Sequence, residues 1–150
     1  ERMLALETET HCGYPSATTT SGLVAYLDGE PVGWCAVEPR TAYRRLPPQR
    51  VAAKIRGEDM TDPTVWAVTC FATRAGFRRQ GVSRALAAAT PAFARERGAR
   101  ALEAYPMITE PGQEVTWGET HVGTRSMFDA AGFEEVHRAT LRRVVMRIDF

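Results

Sequence analysis

Residues 76–86 read GFRRQGVSRAL: three arginines, two glycines and a serine ahead of an alanine-rich run. The stretch lies between the β-branched and aromatic run TVWAVTCFAT and a helical pattern that starts at Val82, so it reads as a strand-to-helix turn. The first N–H groups of a helix have no partner within it, and the helix dipole adds about half a positive charge at that end. Gly81 has no Cβ, so a ligand can come close to the backbone. Arg78, Arg79 and Arg84 add charged donors, and Ser83 adds a hydroxyl. Such a set suits a diphosphate. Neither the GxGxxG dinucleotide pattern nor the GxxxxGK[ST] triphosphate loop occurs. A solvated arginine cluster is the alternative, and these residues alone leave the two level.

The other reactive side chains promise less. His11, His121 and His137 are scattered, with no pair at metal-ligand spacing on a clear helix, so no metal site is expected. Cys12, Cys35 and Cys70 are odd in number and lack a C-x-x-C spacing. Cys35 and Cys70 sit in apolar strand-like runs, which fits buried thiols of a reduced, cytoplasmic protein. A nucleophilic Cys70 ranks below a packed one. Trp117 lies in a polar loop, where it is read as covering a pocket or docking a partner.

The elements that must position these groups follow from pattern. GLVAYL and VGWCAV flank an Asp-Gly turn and predict a hairpin. Residues 39–63 are polar and broken by prolines, with QRVAAKI as a short helical turn. The strand TVWAVTCFAT and the turn lead into a helix with Val82, Leu86, Ala89 and Phe93 on one face. Pro91 is expected to kink or split it. Gly98 stops it, ALEAYPM is a strand, and a short helix capped by Gly123 or Thr124 ends at Gly132. VHRATLRRVVMRIDF holds two strand-like runs. The order implies an α/β (α+β) arrangement with both antiparallel and parallel pairing, in a single domain over residues 1–150 whose first 20 residues are poorly defined.

Composition narrows the function. Nineteen Lys and Arg against 18 Asp and Glu give a net charge of +1, which argues against a nucleic-acid partner. No apolar run is long enough to span a membrane and no signal peptide is visible, so no membrane partner is expected.

Arg78-Arg79-Gln80-Gly81-Val82-Ser83 resembles the [R/Q]-x-x-G-x-[G/A] signature of the GNAT N-acetyltransferase superfamily, with Phe77 and CFAT as its approach. Residues 126–133, SMFDAAGF, are similar to the family's late helix. The resemblance covers about residues 21–148. It implies a central mixed, mostly antiparallel sheet with splayed middle strands and flanking helices, with acetyl-CoA as cosubstrate and a primary amine as acceptor. It implies a coenzyme site made of residues 78–84 for the diphosphate, Phe71, Ala72 and Thr73 for the pantetheine arm, and Ser126 and Phe128 on the late helix. A backbone N–H at Phe71 or Ala72 would polarise the thioester. Dimers are common in the family, and the C-terminal strand pair would suit a homodimer.

Three departures stand out: Ser83 for Gly or Ala, Phe128 where many members carry a proton-donating tyrosine, and little chain before Gly22 for the family's first elements. The acceptor amine must lose a proton, and Glu103, an acid inside an apolar strand, is the candidate base. A carboxylate paired with arginine is its structural alternative. Tyr105, on the same strand face, is a candidate for substrate binding or proton donation, against a packed tyrosine. The rival function is a module of the same fold that holds acyl-CoA without turnover.

Overall fold

The predicted hairpin forms around Asp28 and Gly29, both at positive φ (51° and 81°), as a twisted two-residue turn requires. It joins β1 (Gly22–Leu27) to β2 (Glu30–Pro39). In this computed structural model the described residues are 21–43, 46, 56–116 and 120–150. The predicted turn at QRVAAKI, the N-terminal 20 residues and Trp117 fall outside them. After a 3-10 turn at Arg40–Ala42 come β3 (Val65–Thr73), α1 (Val82–Glu96), β4 (Ala101–Ala104), α2 (Arg125–Ala130), β5 (Glu134–His137) and β6 (Val145–Asp149).

The strands form one sheet in the order β1-β2-β3-β4-β6-β5. Only β3 and β4 are parallel; every other neighbouring pair is antiparallel. The β3–α1–β4 unit is the crossover that joins adjacent parallel strands, as such a pair demands, and the connection from β4 through α2 to β5 passes over the place of β6. The expected order of elements and both kinds of pairing hold.

The main core lies between the sheet and the helices. Leu86, Phe93 and Ala94 of α1 and Phe128 of α2 pack on Val68, Phe71 and Leu102. Phe128 meets Phe71 and Phe133 edge to face, with centroids 5.9 and 5.0 Å away. A smaller cluster of Ala67, Tyr105 and Val145, with Tyr43 and Leu46 against it, sits apart from that core. No helix among the described residues is long and apolar enough to cross a membrane.

Two expectations for α1 need correction. Its inward face is Leu86, Ala87, Thr90, Phe93 and Ala94, while Ala89 is exposed. Counting apolar residues alone skipped Thr90, which is fully buried. Nor does Pro91 split the helix, which runs unbroken from Val82 to Glu96. Proline at 91 leaves the carbonyl four residues back, that of Ala87, without its N–H. The Thr90 hydroxyl donates to that carbonyl at 2.8 Å instead. Thr90→Val keeps the shape and removes the donor. It should cost about 1–2 kcal/mol, read as a lower denaturation midpoint with unchanged slope.

Candidate active site

The site begins where two strands part. Parallel pairing of β3 and β4 runs from Val65↔Ala101 to Val68↔Ala104 and stops. At the same place the β2–β3 register shifts: Ala36 faces Cys70 and Val37 faces Val68, so Thr69 is the extra residue of a β-bulge. Past the bulge, β3 continues along β2 to Thr73, while the chain after β4 turns away through Tyr105 and Pro106.

Residues 120–124 enter the gap. The Phe71 N–H donates to the His121 carbonyl at 2.6 Å, and the Met107 N–H donates to the Gly123 carbonyl at 3.0 Å. Arg125 N–H then donates to Met107 C=O at 2.9 Å. Gly123 lies at φ 86°, and a Cβ there would sit 2.8 Å from Phe128 Cε2 and 3.2 Å from Phe71 Cε2. Only glycine passes through this gap.

These contacts bear on the expected thioester contact. The Phe71 amide is already engaged by His121. Ala72 pairs with Trp34, and since Arg74 N–H bonds Val32 C=O, the alternation of an antiparallel ladder turns the Ala72 amide toward β2 as well. Thr73, two residues beyond Phe71, turns its backbone toward the open side. Its hydroxyl lies 3.2 Å from that of Ser83 at the start of α1.

The turn into α1 has the expected character. Gly81 is the N-cap in the left-handed region, φ 82°, and a Cβ at that point would meet nothing within 4 Å. Arg79 is also left-handed, φ 61°. Gln80 spends its side chain inside the loop, donating to the Gly76 carbonyl at 3.2 Å. Val82 packs its side chain toward Gly33 and offers only its backbone. Arg78, Arg79 and Arg84 are exposed and make no ion pair among the described residues. By contrast Arg40, Arg56, Arg74, Arg100, Arg125, Arg138 and Arg147 all face carboxylates. On α2, Ser126 is exposed, 3.2 Å from the Thr124 hydroxyl, and remains available. Phe128, expected beside the coenzyme, is fully buried in the core.

Glu103 and Tyr105 prove to be part of an enclosed ionic cluster. Glu103 is fully buried. Its Oε1 accepts from Arg147 at 2.7 Å and from Arg40 at 3.3 Å, and its Oε2 accepts the Tyr105 hydroxyl at 2.9 Å. Arg147 also reaches Glu58 at 2.6 Å and Asp149 at 2.8 Å. Burial, then the adjoining Glu103 carboxylate, hold the Tyr105 phenol well above its ordinary value, so it stays protonated and donates to Glu103. Of the two alternatives for each residue, the structure shows Glu103 as an arginine-paired carboxylate and Tyr105 as its packed partner. Charged residues inside apolar strands, Glu103 in ALEAYPM and Arg147 in VVMRIDF, were the signal that the two belong together.

Tyr43, which no sequence pattern marked, stands beside this cluster. It packs against Ala67, Tyr105 and Val145, and its hydroxyl is buried with no hydrogen-bond partner among the described residues. Burial, with the nearby Thr69 hydroxyl opposing it, raises its phenol above the ordinary range. An unmade bond of this kind costs about 1–3 kcal/mol. The thiols are poor nucleophiles: burial pushes Cys35 up to about 12 and raises Cys70 as well. No cluster of side chains able to hold a metal occurs among the described residues.

A family model described as the acetyltransferase (GNAT) family matches residues 4–113. A crystal structure of an acetyltransferase superposes at TM-score 0.60 and 21% identity, covering 99% of this chain and 80% of that one. A ribosomal-protein-alanine N-acetyltransferase from Brucella melitensis gives 0.53 and 20%, over 99% and 76% of the two chains. A Bacillus subtilis acetyltransferase in complex with CoA gives 0.51 and 13%, over 87% and 78%. No curated protein matches the chain.

Glu103→Gln removes the charge that offsets two buried guanidiniums. It should cost about 3–5 kcal/mol in urea unfolding. A base in contact with the acceptor would instead lose turnover at unchanged stability.

Proposed function

The chain belongs to the GNAT acetyltransferase family, and we propose that it transfers the acetyl group of acetyl-CoA to a primary amine by direct attack in a ternary complex. Acetyl-CoA is the cosubstrate of this family and supplies the activated acyl group. The observation that carries the reading is the set of unpaired cations at the start of α1, beside the open side of Thr73. The residues fit the coenzyme. Arg78, Arg79 and Arg84, with the first amides of α1, would hold the diphosphate. The backbone of Thr73 would pair with the pantetheine arm as an added strand. Ser83 would contribute through its hydroxyl, and Ser126 is the exposed α2 side chain nearest in role.

The amine must attack unprotonated, and an alkylammonium has a pKa of about 10. Glu103 is buried and paired with Arg40 and Arg147, which favours an acceptor deprotonated without it. The acceptor then either enters neutral from solvent or sheds its proton to water in the cleft. Two observations favour a second reading, a coenzyme-holding module without turnover: the engaged Phe71 amide and the core position of Phe128. Thiol release from acetyl-CoA across a panel of amines separates the two. Acceptor-dependent release supports transfer, whereas tight CoA binding without release supports the module.

Gly81→Glu tests the coenzyme loop directly. The Cβ meets no neighbour, although a side chain at φ 82° costs about 1–2 kcal/mol of backbone strain, and a carboxylate there faces the diphosphate position. CoA affinity by calorimetry should fall at least about 100-fold, the scale of a lost charge-assisted contact plus repulsion. Unchanged affinity would remove the loop from the coenzyme site.

A further inference from the structure

We propose that residues 120–124 form an acyl-sensitive latch at the inner end of the coenzyme track. The His121 carbonyl holds the Phe71 N–H in the free protein and beside bound CoA, and gives it up to the acyl carbonyl of acetyl-CoA. The inference rests on the coenzyme reading above and goes beyond it, because it assigns a moving contact to this chain's own segment and says which form of the coenzyme moves it.

The length of the coenzyme arm sets the meeting point. Antiparallel pairing with β2 turns alternate backbone groups of β3 outward, so Phe71 and Thr73 face the gap while Ala72 and Arg74 face β2. The Thr73 hydroxyl lies 3.2 Å from that of Ser83, so the start of α1 stands over the outer end of this edge. About twelve bonds separate the diphosphate oxygen of the coenzyme from its sulfur, as many as in four residues of backbone, which reach about 13–14 Å when extended. An arm that leaves the first amides of α1 spends about half of that reach in coming level with Thr73. The other half, roughly 7 Å, is the rise of two strand residues, and it ends at Phe71. The acyl carbonyl therefore arrives at the N–H that His121 already holds at 2.6 Å.

The segment can release that bond and keep its others. Among the described residues, the Phe71 bond is its one backbone link to β3. Met107 holds it twice: the Met107 N–H donates to Gly123 C=O at 3.0 Å, and the Arg125 N–H donates to Met107 C=O at 2.9 Å. His121 and Val122 are half-buried, while Gly123 is buried against the Phe71 and Phe128 rings. His121 can thus lift from β3 while Gly123 and Arg125 stay on Met107. In the exchange the Phe71 N–H trades one carbonyl acceptor for another, and the His121 carbonyl turns to water. CoA has no acyl carbonyl to offer, so beside it the His121 contact persists. A ligand shifts such an equilibrium only through its unequal affinity for the two states, and here the acyl carbonyl is the difference.

The test uses the full chain labelled with nitrogen-15 and carbon-13, in which a scalar coupling between the Phe71 nitrogen and the His121 carbonyl carbon reports the bond directly. The coupling should be present in the free protein and with saturating CoA. With saturating acetyl-CoA labelled with carbon-13 at the carbonyl it should vanish, and a coupling from the Phe71 nitrogen to the acyl carbon should replace it. Gly123→Ala places a Cβ 2.8 Å from Phe128 Cε2 and loosens the segment. In calorimetry this variant should bind acetyl-CoA up to about tenfold more tightly, the scale of one backbone bond, with CoA affinity unchanged. If it is too unstable to read, the wild-type couplings decide. A coupling absent from the free protein, retained with acetyl-CoA, or lost equally with CoA would overturn the latch; retention would leave the acyl carbonyl to the Thr73 N–H. Equal changes in affinity for both ligands in a folded Gly123→Ala protein would overturn it too. Failure of the wild-type protein to bind acetyl-CoA in calorimetry is a different result and sinks the coenzyme reading itself.

Discussion

The parting of β3 and β4 after Val68↔Ala104 governs the rest of the molecule. A sheet satisfies its backbone by pairing, and two parallel neighbours that separate in the interior strand donors and acceptors on both inner edges. Each such group left unmet costs about 1–3 kcal/mol. The bulge at Thr69 turns β3 away, and the segment through His121, Gly123 and Thr124 supplies the missing partners to Phe71 and Met107. That segment can enter only because Gly123 carries no side chain against Phe71 and Phe128. The gap is thus filled from the α2 side and left open further along, at Thr73. The arginine-rich turn begins just beyond that opening.

The enclosed ionic cluster is a second consequence of the same geometry. β4 has only four paired residues, and its Glu103 lies opposite Arg147 on β6. Arg40 comes in from the end of β2, and Glu58 from the segment ahead of β3. Buried pairs of this kind contribute little net stability, because desolvation offsets most of the attraction. Their effect is positional. Arg40 and Arg147 tie the end of β2 and β6 to the Glu103 carboxylate, Arg147 also holds Glu58, and Tyr105 is fixed with them.

How much of this could be read in the sequence depended on the range of the interactions. The Asp28-Gly29 hairpin, the strand at 65–73, the helix start at Val82 and the Gly132 stop are set by neighbours a few residues apart, and the pattern shows them. Pro91 misled because its rule concerns one lost bond, and the hydroxyl of Thr90 replaces that bond. Glu103 was visible as an anomaly, but its meaning lay in Arg40, 63 positions away, and Arg147, 44 positions away. The engagement of Phe71 by His121 spans 50 positions and involves only backbone atoms, so no residue type announces it. Tyr43 was hidden for a similar reason: a proline-broken stretch gives no period against which to place one tyrosine.

The replacement of tyrosine by Phe128 shows where the chemistry needs help. The leaving thiol of the coenzyme has an ordinary pKa of about 8.5, close to that of cysteine. A thiolate of that basicity departs without a strong acid beside it, so a missing donor on α2 removes assistance from the easier half of the reaction. The carbonyl oxygen of a thioester is the harder case in such a transfer, because negative charge develops on it during addition. A donor at that oxygen lowers the barrier to addition, whereas one at sulfur acts only once the adduct has formed. A chain that buries Phe128 among Phe71 and Phe133 gives up a hydroxyl at sulfur and gains a core anchor for α2.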